Sequence, residues 1–370
     1  MAQEIVMGEN AHEKLADIIR EKEIRKLLLV AGGSFDRLYF RDYVMSLDTQ
    51  IIRFGGFSPN PKYEEICAGL ELLRREGCDA ILAVGGGSAM DTAKCIKLFS
   101  VLDPDKVYIE QEFKPSAVPL IAIPTTAGTG SESTRNAVLY YQGKKYSVGH
   151  DCTLPDWAIL CPEVLRHLPD YQKKSTMLDA LCQGIESWWS LSSTGESIEH
   201  ARAAVCRVMG NYCAYLSGDP TAAEEIMLGA NLAGRAINLT ATTAAHAMSY
   251  KLSSLFRIPH GHAVAMALPE VWEYMINNTE KCTDSRGADH LRQVFSDIAS
   301  AMGCGDAPAA VERFRGIMKE LEMPVLRGVT EEQLNILAAS VNLQRLGNNP
   351  VPLDLLTLHS LYERMTEYDS

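Results

Sequence analysis

No stretch of this sequence reaches the roughly 18 consecutive apolar residues that a membrane-spanning helix requires, so no bilayer crossing is expected. The opening Met-Ala-Gln-Glu-Ile-Val has neither a basic flank nor a long apolar segment, and a secretory signal is not expected either. Positive charge is in short supply: 35 Lys and Arg stand against 47 Asp and Glu, a formal net charge of -12. Such a balance argues against nucleic acid or an anionic membrane as the main partner, and an anionic small molecule would have to be drawn in by a local basic pocket. Ten cysteines are present, yet none forms a Cys-x-x-Cys pair. Cys95, Cys206 and Cys213 fall in apolar runs, which fits reduced thiols in a cytoplasmic protein better than a disulfide framework. Internal repeats and low-complexity segments are also missing.

What is there is alternation. Short apolar runs at Lys26–Val30, Ile51–Phe54, Ala80–Val84 and Leu120–Ile123 read as strands, separated by amphipathic stretches such as Pro61–Glu76. Strand and helix in alternation predict an α/β, Rossmann-like domain with a parallel sheet and a ligand site at the strands' C-terminal ends. From about Leu165 onward the pattern is helical almost throughout. A dinucleotide-binding domain over 1–164 and an all-helical domain over 165–370 are therefore expected, with the cleft between them as the natural active site. With 370 residues the chain is long enough for two such domains and a large core.

Two strands empty into loops suited to a phosphate and a flat ring. Ala80–Val84 runs into Gly85-Gly86-Gly87-Ser88 and then a helix carrying Asp91 and Lys94. Glycines let backbone approach a phosphate, while the free amides and positive dipole end of the following helix bind its charge. Leu120–Ile123 leads into Pro124-Thr125-Thr126-Ala127-Gly128-Thr129-Gly130-Ser131-Glu132, where hydroxyls can hydrogen-bond ribose and nicotinamide. A third candidate loop, Gly32-Gly33-Ser34, follows Lys26–Val30.

In the helical half, Asp179 and Gln183 stand four residues apart and so share a helix face from which both can point at one ion as candidate metal ligands. Later come His246 in Thr-Ala-Ala-His-Ala-Met and His260 in Ile-Pro-His-Gly-His262. A carboxylate and two imidazoles from separate segments are what a divalent iron or zinc site needs when one position stays open for substrate oxygen.

On these blocks the chain resembles the iron-containing (group III) alcohol dehydrogenase family. The family's Gly-Gly-Gly-Ser-x-x-Asp-x-Ala-Lys block stands at 85 to 94, its Pro-Thr-Thr-Ala-Gly-Thr-Gly-Ser-Glu block at 124 to 132, and its Asp-Ala-Leu block at 179 to 181. Its two histidines, 14 positions apart, match His246 and His260, and Asn349-Pro350 matches its late Asn-Pro. The resemblance covers essentially the whole chain. It implies a dehydroquinate synthase-like fold, an NAD(P)H-linked reduction of a small aldehyde and a homo-oligomer. It also implies Asp179, His246 and His260 as metal ligands, with Gly86, Gly87, Ser88, Thr125, Thr126, Thr129 and Lys145 as cofactor contacts. The wording around Leu178–Trp189, Thr242–Lys251 and Pro259–His262 resembles the family's phosphonoacetaldehyde reductase branch. That likeness implies cations near the metal for a phosphonate, with Arg135, Lys251 and Arg345 as the candidates.

Three departures shape the expectations. Many relatives carry a histidine four residues after the ligand aspartate, where Gln183 stands. An amide oxygen is a poorer ligand than imidazole, so the metal, Fe2+ or Zn2+, stays open. Zinc-using glycerol dehydrogenases also lack that histidine. Cys161 stands where relatives often have Asp before Pro, and it reads as packing. No carboxylate follows Val30 directly, so the NADP 2′-phosphate is not repelled; Ser34 or Arg37 could contact it, and NADPH is expected to be accepted alongside NADH. Proton delivery to the product oxygen is assigned to solvent at the metal, His150 or His262. Three other readings stay open: a general short-chain alcohol or glycerol dehydrogenase, a cyclase that recycles its cofactor, and a non-catalytic dinucleotide-binding regulator.

Overall fold

The computed structural model describes residues 3–342 and 346–366. The chain divides into two compact units, Met1–Leu168 and Pro169–Ser370.

Among the described residues the first unit has eight strands: β1 (Glu4–Met7), β2 (Lys26–Val30), β3 (Gln50–Phe54), β4 (Ala80–Gly85), β5 (Leu120–Pro124), β6 (Asn136–Tyr141), β7 (Lys144–Gly149) and β8 (Trp157–Leu160). Six form one sheet in the order β1-β8-β5-β4-β2-β3, every pair parallel. The central strands β4 and β5 are buried along their whole length. This explains their unbroken apolar composition, because helices cover both faces of a parallel sheet. Helix α1 (Lys14–Glu21), α2 (Arg41–Met45), α3 (Tyr63–Glu76) and α4 (Gly87–Phe99) belong to this unit. The Glu65 carboxylate accepts from the Lys62 backbone N–H at 2.9 Å where α3 starts, and Gly77 ends it at φ 64, a left-handed conformation that glycine adopts without strain.

Because β2, β4 and β5 are neighbours, the loops leaving their C-terminal ends share one edge of the sheet. The remaining strands β6 and β7 form a separate antiparallel hairpin that the apolar-run reading did not anticipate. Its two-residue turn places Gln142 at φ 50 and Gly143 at φ 74, the positive pair that the twist of a tight hairpin favours.

The second unit is helical: α5 (Asp170–Trp189), α6 (Gly195–Leu216), α7 (Pro220–Thr240), α8 (Ala244–Phe256), α9 (His260–Asn277), α10 (Ala288–Ala301), α11 (Ala307–Glu320), α12 (Glu331–Ala339) and a last helix Leu355–Met365. None of the described helices is long and apolar enough to cross a membrane. Helix α5 is the centre, packed against α6, α7 and α9, with every residue from Ser175 to Trp189 buried. All ten cysteines are free thiols. Cys95 is buried, but Cys206 and Cys213 are exposed, because α6 buries the stripe of Ala201, Ala204, Val205, Val208, Tyr212 and Tyr215. The two cysteines, seven residues apart, fall on its other face.

Candidate metal centre and dinucleotide loops

A helix buried all round should carry apolar residues all round, yet α5 buries Asp179, Gln183 and Glu186 at 2%, 3% and 0% exposure. Spaced i, i+4, i+7, they form one polar stripe. Two segments close over it. His246 enters from the first turn of α8 and His260 is the first residue of α9. The approach of α9 depends on Gly261: a Cβ there would lie 2.0 Å from Ser175 O and 2.7 Å from Asp179 Cβ, so only glycine lets α9 begin against α5.

The result is a cluster in which ligand atoms of Asp179, His246 and His260 lie within 4.8 Å of one another. His246 Nε2 stands 3.4 Å from Asp179 Oδ1 and His260 Nε2 4.0 Å from it. Asp179 Oδ1 and His246 Nε2 are buried without a hydrogen bond of ordinary geometry. Buried polar atoms left in that state are costly, and converging nitrogen and oxygen donors are the set that a divalent transition metal takes. The residues therefore fit a metal. His260 keeps 37% of its side chain exposed while Asp179 and His246 keep 3% and 4%, so the cluster opens on the His260 side.

Electrostatics within the cluster are strongly coupled. Burial alone would lower His246, but the Glu186 carboxylate and then Asp179 outweigh it and raise the imidazole to about 9. Burial pushes Asp179 up, and His260 and His246 more than reverse this, leaving the carboxyl below its usual range. Gln183 hydrogen-bonds the Asp179 carboxylate through its side chain. Behind His260, Ser249 Oγ lies 3.3 Å from Nδ1 and donates to His246 O at 2.8 Å. Tyr250 stacks on the His260 ring, centroids 5.7 Å apart and planes within 4°.

The other expected site residues are scattered more widely. His262 is fully buried, its Nδ1 2.7 Å from Tyr171 Oη. Burial pushes it down to about 4, so it is a neutral imidazole near neutral pH and a support for the start of α9. His150 Nδ1 accepts from Cys152 N–H at 3.0 Å, capping a turn after β7. Lys251 is half-buried on α8. Arg135, just before β6, pairs with Asp151 at 2.6 Å on the surface. Arg345 lies outside the described residues.

In the first unit, Gly32, Gly33 and Ser34 follow β2, Gly86, Gly87 and Ser88 follow β4, and Thr125, Thr126 and Thr129 follow β5, so all nine lie at one sheet edge. The last two loops touch: a Cβ on Gly87 would lie 3.2 Å from Thr129 Cγ2. Asp91 accepts from the Ser131 hydroxyl at 3.1 Å. Lys94, with no exposure, donates to Ser131 Oγ, Thr134 Oγ1 and Asn136 O at 2.9, 3.0 and 2.9 Å. This ammonium ties α4 to the threonine-glycine loop and to β6. Burial lowers Lys94 to about 8 against the pull of Asp91 and Glu132. Burial raises the Asp91 carboxyl above its ordinary value, with Lys94 and, last, Lys145 on β7 opposite Tyr140 pulling against it.

One expectation at this edge is revised. A carboxylate does stand beside the β2 loop: Asp36, in the turn Gly33–Arg37, is held by Arg53 of β3 at 2.5 and 3.0 Å, and Arg53 also donates to Gly32 O at 2.9 Å. The pair closes across two strands, so its carboxylate does not stand directly after Val30, where the sequence alone would place it. Glu186 carries a sequence signal of its own, the i+7 spacing from Asp179.

A cluster of converging donors in the helical unit and a glycine- and threonine-rich sheet edge in the other suit a metal-using dehydrogenase. Family models for iron-containing alcohol dehydrogenase and for its C-terminal part match residues 2–162 and 173–366. This chain belongs to the iron-containing alcohol dehydrogenase family, a family of enzymes. Among its relatives is phosphonoacetaldehyde reductase of Streptomyces viridochromogenes, 32% identical over 347 residues that cover 89% of this chain and 86% of that protein. Another is alcohol dehydrogenase 4 of Schizosaccharomyces pombe, 29% identical with 90% and 80% covered. In structure it is similar to sulfoacetaldehyde reductase from Bifidobacterium kashiwanohense, solved in complex with NAD+, at a TM-score of 0.89 and 28% identity over 99% of this chain and 98% of that one. The iron-containing alcohol dehydrogenase of Thermococcus thioreducens gives 0.88 at 26% identity, with 98% of each chain covered.

Proposed function

We propose that the protein reduces a small aldehyde to a primary alcohol with NADH or NADPH, using a divalent metal at Asp179, His246 and His260, and that the aldehyde is phosphonoacetaldehyde, giving 2-hydroxyethylphosphonate. The observation that carries the chemistry is the buried cluster of converging donors, its ligand atoms within 4.8 Å. A bound Fe2+ or Zn2+ supplies Lewis acidity toward a carbonyl oxygen. Asp179 contributes the negative charge, His246 and His260 the nitrogen donors, and Gln183 steadies Asp179. The exposed side of His260 admits the aldehyde.

The cofactor role falls to the sheet edge. Gly86 and Gly87 let the pyrophosphate approach the start of α4, whose dipole offsets its charge. Thr125, Thr126 and Thr129 take ribose and nicotinamide, and Gly32, Gly33 and Ser34 the adenosine end. Asp91 and Lys145 support these loops. At that end the Arg53 guanidinium offsets Asp36, which supports acceptance of a 2′-phosphate alongside a free hydroxyl. With His262 neutral and fully buried, the product's proton comes from solvent or through His150.

The substrate assignment draws on likeness. Two relatives, from the sequence and the structural comparisons, are named for acetaldehydes bearing an anionic head, one a phosphonate and one a sulfonate. Arg135 and Lys251 are proposed as the phosphonate's cations, Arg135 exchanging its exposed partner Asp151 for the substrate. The likeness to alcohol dehydrogenase 4 favours the second reading, a general short-chain alcohol dehydrogenase. A steady-state screen of small aldehydes, with metal content measured on the same sample, separates them. Higher catalytic efficiency for phosphonoacetaldehyde than for propanal supports the proposal. Preference for propanal supports the second reading, and substrate turnover with no net cofactor oxidation would point to a cyclase.

A further inference from the structure

Glu186 is a fully buried carboxylate outside the Asp179, His246 and His260 set, and its two oxygens do different work. Oε1 accepts from Thr243 Oγ1 at 2.6 Å, Thr243 N at 3.2 Å, Ala245 N at 3.0 Å and His246 N at 3.4 Å. The three amides belong to the buried start of α8, where no α8 carbonyl can satisfy them. Oε2 meets His246 Nδ1. The same hydroxyl of Thr243 accepts from Trp189 Nε1 at 2.9 Å, fixing the carboxylate from the far side. Helix α8 is thus started, and its histidine aimed, by one residue reaching across from α5.

We infer that Glu186 is a positioning residue that holds the Nδ1 proton of His246, so that Nε2 presents its lone pair to the metal beside Asp179. The inference rests on the metal reading above and adds to it the group that selects the ligand tautomer. Imidazole has one proton to place when neutral. An acceptor-only carboxylate at Nδ1 forces that proton to Nδ1, and Ser249 Oγ does the same for His260, its own proton being given to His246 O. Such outer partners typically alter metal affinity by about 10- to 100-fold.

Glu186→Gln separates the two tasks. The amide oxygen still caps α8, but the amide nitrogen is a donor and now faces Nδ1. His246 must then accept at Nδ1 and carry its proton on Nε2, where the metal belongs. Zn2+ titration of the metal-free proteins against a competing chelator should show Glu186→Gln binding at least about 10-fold more weakly than the parent, with the melting temperature of the metal-free form nearly unchanged. Affinity equal to the parent's overturns the inference, whatever happens to the melting temperature. His260→Ala is the control for the underlying reading: if it also keeps parental Zn2+ affinity, the metal site itself is wrong. If it loses affinity while Glu186→Gln does not, only the role of Glu186 is. Should Glu186→Gln not fold, the histidine nitrogen resonances of the Zn2+-loaded parent decide. A proton on Nδ1 and a metal-shifted Nε2 support the inference, and the reverse assignment for His246 overturns it.

Discussion

Alanine at position 261 adds one methyl group where the structure has no room for it. The new Cβ would stand 2.0 Å from Ser175 O and 2.7 Å from Asp179 Cβ. Neither neighbour is the tip of a flexible side chain, since one is backbone and the other is the root of a metal-site residue. To bring the first contact to the ordinary 3.4 Å, the start of α9 must move off α5 by about 1.4 Å, carrying His260 with it. Overpacking of this kind costs about 1–3 kcal/mol, or about 2–12 °C in melting temperature for a unit of this size. Metal donors tolerate only about 0.2 Å of displacement, so the functional loss should exceed the loss of stability. Gly210→Ala is the matched control: this exposed position within α6 has nothing within 4 Å of a new Cβ, and alanine there should stabilise by about 0.5–1 kcal/mol. Thermal melts and Zn2+ affinity of the two variants, side by side, are the assay. Parental metal affinity in Gly261→Ala would refute the claim that the approach of α9 to α5 builds the site.

Three further outcomes are expected. Lys94 is lowered from 10.5 to about 8 in the fold, so between those pH values the unfolded chain binds more protons and folding becomes more favourable as pH rises; denaturant melts of the parent should show this gain relative to Lys94→Met, and a flat difference would contradict it. Arg135→Ala should raise the Michaelis constant for phosphonoacetaldehyde while leaving propanal unaffected, and an unchanged efficiency ratio would show that another group holds the anion. Arg53→Ala should weaken NADPH more than NADH by freeing the Asp36 carboxylate to repel the 2′-phosphate, which initial rates with each cofactor will reveal.

Much of this could be read from the chain because burial on both faces writes strands as unbroken apolar runs. Lys26–Val30 and Leu120–Ile123 were visible for that reason. The short edge strand β1 begins on the exposed Glu4, and β8 spans only four residues. Neither gives a periodic signal long enough to separate from a loop. The hairpin of β6 and β7 was written in a Gln142-Gly143 turn, but its strands are half-exposed and give no unbroken apolar run. At the donor cluster, residue type put Asp179, His246 and His260 forward, and the family resemblance grouped them. Groups that matter through another residue were invisible: Glu186 acts on a histidine 60 positions away, and Arg53 reaches Asp36 across 17. Distance along the chain hid them, because their meaning depends on which segments the fold brings together.

Metal content and cofactor oxidation measured on the same preparations of parent and His260→Ala, before and after chelator treatment, test the central claim most directly. The account predicts a parent that holds a divalent ion and oxidises NADH with a small aldehyde, loses turnover when stripped, and regains it when Fe2+ or Zn2+ is returned, while His260→Ala neither retains the ion nor turns over. Undiminished turnover by the stripped parent, or by His260→Ala, would contradict it.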